Sequence, residues 1–432
     1  MTASATPAKT SKSLRGRARL IVTADQLGPG LITGAADDDP SGIVTYSQAG
    51  AQFGYGLLWT LVLTYPLMVA VQLVSAQIGR VTGKGLARNM DEIFHPWIVT
   101  ALVALLFIAN TINVGADLSA MGAVAALSSH VDEHLLTVAF ALLSLLLQMF
   151  IPYRRYSNIL KWLTLVLFAY VGVLFFVHVD WLSVAKNFVW PQMNWSKATT
   201  AIVAVFGTTI SPYMFFWQSA QEVEEIDAAA EKKALKAAPR QAKKEFARIR
   251  LDTFAGMAIS NVVGIAIIIC AAATLNKHGI TDIQNARDAA KALEPLAGHL
   301  AFALFSVGIV GTGLLAVPVL AGSAAYAVGE SRGWECGLDY KPWEAVGFYA
   351  VIGAATIIGV AIDYSGFDPM KALFWSAVIN AFVAVPIMIG LMLVASRRSQ
   401  MGKFIISTPV AILGWAATAV MAVAAIAMVI AP

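Results

Sequence analysis

Three consecutive aspartates followed by proline, Asp37-Asp38-Asp39-Pro40, stand inside an otherwise apolar stretch running from about residue 26 to residue 52. Such a stretch can cross a hydrocarbon core about 30 Å thick, which takes about 20 apolar residues. Charged side chains at that depth cost on the order of 2.5–3.5 kcal/mol each on insertion scales. On an intact helix successive residues point about 100° apart, so three acids in a row cannot share one cavity. Pro40 resolves the conflict. It disfavours helical geometry at Asp39 and leaves the carbonyl four residues back, that of Ala36, without its N–H partner. The sequence therefore predicts a helix that breaks near mid-membrane and opens carbonyl oxygens beside carboxylates. Irregular backbone at that depth is tolerated only where it lines a cavity or is buried in protein.

The rest of the chain is equally apolar. Of 432 residues, 58% are hydrophobic and 13% charged, and the mean hydropathy is +0.70. Soluble domains carry about 25% charged residues. This excludes a cytosolic enzyme, a disordered chain and an ordinary nucleic-acid binder, and leaves an all-α polytopic membrane protein whose first partner is the lipid bilayer. With two cysteines, Cys270 and Cys336, a disulfide framework is excluded. The chain contains no Walker-type phosphate loop, so neither ATP-driven pumping nor a cofactor is expected.

Eleven apolar segments are read, at roughly 26–52, 55–79, 95–127, 134–152, 158–178, 198–219, 252–275, 298–328, 343–362, 369–395 and 405–431. They divide the chain into a basic cytoplasmic N-terminus (1–24), a first five-span unit (25–180), an outer loop (181–197), a second five-span unit (198–395) and an eleventh span (396–432). A polar loop at 221–250 reads as a cytoplasmic helix or solvated linker. With the N-terminus inside, 24 of the 30 Lys and Arg residues fall on the cytoplasmic side and the C-terminus falls outside. The N-terminal stretch is polar and does not read as a cleavable signal, which favours a bacterial inner membrane.

Span 6 repeats the device of span 1. It reads Gly207-Thr208-Thr209-Ile210-Ser211-Pro212-Tyr213, and Pro212 frees the carbonyl of Thr208. The two prolines open matching spans of two five-span units, and an odd number of spans per unit makes the repeats inverted. Paired interrupted helices in two halves point to a transport site at the bilayer midplane. The candidate ligands are Asp39, the Ala36 and Thr208 carbonyls and the Ser211 hydroxyl, with Asp37 and Asp38 attracting an ion or holding its waters. These are hard oxygen donors, suited to Mg²⁺, Ca²⁺ or Mn²⁺. Met214, one turn further on, reads as packing. Asn110, Asn113 and Asp117 share one face of span 3, as an interhelical hydrogen-bond stripe or a pathway lining, and Asn380 in span 10 reads the same way.

Several motifs carry a resemblance: Gly28-Pro29-Gly30, Asp39-Pro40, Val81-Thr82-Gly83-Lys84-Gly85-Leu86-Ala87, and Asn110-Thr111-Ile112 with Gly115-Ala116-Asp117-Leu118. With them the chain resembles the NRAMP family of divalent-metal transporters. The resemblance implies a LeuT-type (APC-type) 5+5 inverted repeat with broken helices 1 and 6 plus an eleventh span, and import of manganese or iron, usually with protons. It also places the metal-binding carbonyl of span 6 at Thr208. The departures are specific. The family's Asp-Pro-Gly-Asn is here Asp39-Pro40-Ser41-Gly42, without the Asn ligand. Its Met-Pro-His is here Ser211-Pro212-Tyr213, without the thioether. Its span 6 histidines fall at Tyr213 and Gln218, and a span 3 glutamate of the proton pathway falls at Ala120, while the nearby aspartate is kept as Asp117. This resembles a divergent, magnesium-transporter-like branch.

The lead expectation is a secondary transporter for Mg²⁺ and/or Mn²⁺ with weak or no proton coupling, and with a monomer as the default assembly. Two alternatives stay open: a proton-coupled Mn²⁺/Fe²⁺ importer, and an organic-solute symporter in which Tyr213, Phe215, Phe216 and Trp217 line an aromatic pocket.

Overall fold

The computed structural model describes residues 33–34, 36–152, 162, 165–228 and 231–430. The expected basic N-terminus, the Gly28-Pro29-Gly30 motif and the opening parts of spans 1 and 5 lie outside the described residues. Among the described residues the regular structure is helical, and nine runs are long and apolar enough to cross a membrane. The elements used below are α1 (Pro40–Phe53), α2 (Leu58–Thr82), α3 (Pro96–Ser129), α4 (Glu133–Phe150), α5 (Trp195–Thr209), α6 (Pro212–Asp227), α7 (Ala242–Thr274), α8 (Ala301–Arg332), α9 (Val346–Asp363), α10 (Pro369–Ser396) and α11 (Thr408–Ile430).

Eleven spans are expected and nine runs are found among the described residues. Spans 1 and 2 join into one run, Pro40–Thr82, bent at a 3-10 turn over Gly54–Leu57. Gly54 takes φ +58° there, a left-handed conformation that glycine adopts without steric cost. Span 5 falls partly on residues outside the described set, and its helical part is the short Phe168–Val173.

Both predicted breaks are present, each with proline at the first position of the second half-helix. Asp39 has φ −70° and ψ 170° and precedes α1. Ile210 and Ser211 separate α5 from α6, Ser211 with φ −79° and ψ 131°. In each case the residue before proline is extended, as its clash with the proline ring requires.

The two broken spans form the centre. α1 packs on α7 and α10, α5 on α10, and α6 on α2 and α8, while α3 crosses α8, α9 and α10. α11 lies outside, against α2 and α10. Small residues permit these contacts, since in lipid the gain comes from close packing rather than from excluding water. A Cβ at Gly34 would lie 2.4 Å from the Gly256 carbonyl oxygen, and one at Gly207 would lie 1.9 Å from the Ala377 carbonyl oxygen. Large apolar side chains such as Leu142, Ile357 and Val423 face outward, as a surface bathed in hydrocarbon requires.

The 221–250 segment departs from the expected solvated linker. α6 continues to Asp227 and α7 begins at Ala242, so the connection is short. It is docked: Leu235 is buried, and the Leu235 and Lys236 N–H groups donate to the carbonyls of Arg80 and Val81, each at 3.1 Å.

Candidate cation site

Asp39 has two jobs divided between its two oxygens. Oδ1 accepts the backbone N–H of Gly42 at 2.7 Å and the Ser41 hydroxyl at 2.7 Å, capping α1. Aspartate before a proline at the first helical position is a strong helix-start signal, and its charge complements the helix dipole. Oδ2 is left to face α6, where the Tyr213 hydroxyl donates to it at 3.3 Å and to the Ala36 carbonyl at 3.4 Å. The hydroxyl of Tyr213 thus meets two of the oxygens expected as ligands.

The second break mirrors the first. The freed Thr208 carbonyl accepts the Ser211 hydroxyl at 2.9 Å, and the same hydroxyl reaches the Gly207 carbonyl at 2.9 Å. Ser211 therefore turns back on the end of α5, and the structure does not aim its hydroxyl at Asp39. The Thr208 hydroxyl is buried and makes no hydrogen bond, and it lies 3.2 Å from where a Cβ on Gly42 would sit. Thr209 donates to Val205 at 2.6 Å, so Tyr46, 3.1 Å from the Thr209 hydroxyl, donates to it and links α1 to α5.

The acid triplet splits. Asp37 and Asp38 meet α7, where the Ser260 hydroxyl lies 2.7 Å from Asp37 Oδ2 and 3.0 Å from Asp38 Oδ1. All three acids are buried, and the remaining Asp37 oxygen, Oδ1, has no hydrogen-bond partner. Sequence reasoning missed Ser260, and also Tyr46 and Thr209. The only local signal for Ser260 was a polar Ser-Asn pair inside an apolar span.

The expected pathway residues divide by environment. The Asn110 amide donates to the Leu320 carbonyl at 2.9 Å and to the Ser323 hydroxyl at 2.8 Å, tying α3 to α8. Asn113 and Asn380 exchange amide hydrogen bonds at 2.9 and 3.4 Å, tying α3 to α10. These two positions on α3 form an interhelical stripe. Asp117 is different: it is fully buried, and neither carboxylate oxygen has a hydrogen-bond partner. Asp39 and Asp117 are charge neighbours, and Asp39, Asp37 and Asp117 all act on Tyr213. Gln218, buried on α6, accepts the Thr33 hydroxyl at 2.6 Å and so bridges the two broken spans. Met214, Phe215, Phe216 and Trp217 are buried in the core, and Trp217 packs edge-on against Tyr326 with ring centroids 6.0 Å apart. These aromatics are packed in the core.

Two cavities flank the site and neither is lined by the triplet. One, of about 290 Å³, is lined by Lys84, Glu224, Asp227, Glu330, Glu335 and Tyr340 among others, on the side assigned to the cytoplasm by charge. The other, of about 210 Å³, is lined by Gln48, Gln52, Asp282 and Lys371 at the opposite end. A buried charge network joins the ends of three helices. Arg80 Nη2 lies 3.2 Å from Glu245, Arg248 Nε lies 3.1 Å from the same carboxylate, and Arg248 pairs with Glu222. The ends of α2, α6 and α7 are locked together by these pairs.

A family model described as natural resistance-associated macrophage protein-like (Nramp) matches residues 30–431. Among solved structures the chain is similar to the Eremococcus coleocola manganese transporter in complex with an aromatic bis-isothiourea substituted compound, at 19% identity over 93% of this chain and 86% of that one, with a TM-score of 0.71. It is also similar to Mhp1, a nucleobase-cation-symport-1 family transporter, in a closed conformation with bromovinylhydantoin bound, at 13% identity over 94% and 92% of the two chains, with a TM-score of 0.54. At these identities the likeness is one of fold, and it is the inverted-repeat arrangement expected from the paired breaks.

Proposed function

The chain belongs to the Nramp family, whose members are multi-pass membrane transporters of divalent metal rather than enzymes, and we propose that its own cargo is Mg²⁺ and/or Mn²⁺, moved by alternating access with weak or no proton coupling. The metal is substrate, not cofactor. One observation carries the reading: Asp39 Oδ2 and the freed Ala36 carbonyl converge on a single point, the Tyr213 hydroxyl. An ion entering there replaces that hydroxyl at both oxygens or binds them with the hydroxyl as a further ligand. Thr208 supplies oxygen from the other half. This donor set is hard and has a single carboxylate, which suits an ion that keeps part of its water shell.

Weak coupling is supported by residue type. Tyr213, Gln218 and Ala120 stand where the resemblance places two histidines and a glutamate, and none of these residue types takes up or releases a proton near neutral pH. The Lys and Arg distribution supports a cytoplasmic N-terminus and an outer C-terminus, in keeping with a bacterial inner membrane. Calorimetric titration of the purified protein with MgCl₂ and MnCl₂, beside Asp39→Ala, tests the reading. Binding of both ions by wild type and of neither by the variant supports it; binding of neither ion by wild type sinks it.

A second reading, proton-coupled Mn²⁺ import, is favoured by Asp117, a buried carboxylate without a hydrogen-bond partner near Asp39. Proteoliposomes containing a pH-sensitive dye separate the two: acidification that follows Mn²⁺ uptake and vanishes in Asp117→Asn supports coupling.

A further inference from the structure

The acid triplet is held in two directions, and one hydroxyl does the holding. Gly34 and Gly256 let span 1 and α7 meet at backbone distance. One turn along α7 from Gly256, Ser260 lies within hydrogen-bond distance of both Asp37 and Asp38. Asp39 is turned the other way, its Oδ1 spent on the α1 cap and its Oδ2 directed at Tyr213. We propose that Ser260 is a positioning residue that sets ion selectivity: by keeping Asp37 and Asp38 on α7 it excludes them from direct contact with an ion at Asp39.

This rests on the reading of Asp39 as the cation site, and it deepens that reading. Three carboxylates in direct contact would strip water from the ion and favour the metal that dehydrates more readily. Mg²⁺ dehydrates reluctantly and is bound through one or two carboxylates with several waters kept, while Mn²⁺ is a transition metal without that reluctance. With Asp37 and Asp38 held back, their charge still attracts the ion, and their oxygens remain available to its waters. Outer-shell partners that orient ligands in this way are worth about 10–100-fold in metal affinity when removed. Ser260 has a single proton to donate and lies within reach of both carboxylates.

The test uses full-length Ser260→Ala and Ser260→Thr in detergent, titrated with MgCl₂ and MnCl₂, beside wild type and Asp39→Asn. The expected result is a shift of the Mn²⁺-to-Mg²⁺ affinity ratio toward Mn²⁺ by about tenfold or more in Ser260→Ala, with the wild-type ratio kept in Ser260→Thr. A purely structural serine would weaken both ions equally and leave the ratio unmoved. An unmoved ratio in Ser260→Ala, with Asp39→Asn binding neither ion, overturns the role of Ser260 and leaves the transport site standing. Undiminished binding by Asp39→Asn overturns the site itself, and the selectivity role with it.

Discussion

The Tyr213 hydroxyl and Asp39 Oδ2 lie 3.3 Å apart across the two helix breaks, and the same hydroxyl reaches the Ala36 carbonyl at 3.4 Å. One side chain of the second half thus spans the two oxygens that Pro40 and its preceding aspartate expose in the first. On the proposed reading Asp39 is both an architectural and a chemical residue, and the two roles are separable. Asparagine caps a helix about as well as aspartate, whereas alanine costs about 0.5–2 kcal/mol at that position. Asp39→Asn is therefore expected to melt near the wild-type temperature while metal uptake falls to background, and Asp39→Ala to lose both stability and uptake. Thermal unfolding in detergent and radiotracer or dye-based uptake in proteoliposomes check the pair. Uptake retained by Asp39→Asn would remove the carboxylate from the mechanism.

Tyr213→Phe leaves Asp39 Oδ2 and the Ala36 carbonyl without their shared donor. Buried groups deprived of a partner cost about 1–3 kcal/mol, so the metal-free variant is expected to melt lower than wild type. An ion satisfies both oxygens, and a ligand that binds only the folded state stabilises by mass action. The melting-temperature increase on adding Mn²⁺ should therefore be larger in Tyr213→Phe than in wild type. An equal or smaller increase would mean that the ion does not sit between those oxygens.

The reciprocal Asn113–Asn380 amide pair is read as helix glue between α3 and α10. Membrane interhelical hydrogen bonds measured by double-mutant cycles average about 0.6 kcal/mol and reach about 1.7 kcal/mol. Asn113→Ala and Asn380→Ala are expected to show a coupling of that size in unfolding, with uptake KM unchanged. A changed KM with no coupling would return the pair to the ion pathway.

What was legible in the sequence follows from how local each constraint is. Both breaks were readable because proline acts on its own neighbours: Pro40 and Pro212 dictate the geometry at Asp39 and Ser211 whatever surrounds them. Their matched positions carried the inverted repeat. The cap at Asp39 was also written locally, as Asp-Pro ahead of a helix, but the charge drew attention and the capping role went unread. Ser211 looked like a ligand because it adjoins the break, yet a hydroxyl beside an unfinished helix end finds two carbonyls closer at hand. The split of the triplet was not legible at all. It depends on Ser260, more than 220 positions away in the chain, and on two glycines that let the helices touch. The docked loop failed to show for a similar reason: its charge pattern says solvent, while Leu235 and the Arg80 and Val81 carbonyls hold it against the bundle.

The charge network of Arg80, Glu245, Arg248 and Glu222 ties α2, α6 and α7 together, on the side that the Lys and Arg distribution assigns to the cytoplasm. Alternating access requires that one end of the path open while the other is closed, and a lock joining the second half of span 6 to spans 2 and 7 must loosen when the cytoplasmic end opens. Glu222 is fully buried and its direct partner is Arg248. Arg248→Met strands that carboxylate, and breaking a buried pair from one side costs about 3–5 kcal/mol. The variant is expected to melt lower than wild type, and Arg248→Met with Glu222→Gln to recover much of the loss because no uncompensated charge is left. Transport gives the second readout. If the network holds the cytoplasmic end shut, the double variant cycles with an altered Vmax while metal KM stays near wild type, since Asp39 and its partners are untouched. A double variant that recovers stability and transports with unchanged Vmax would show the network to be structural support rather than part of the gate.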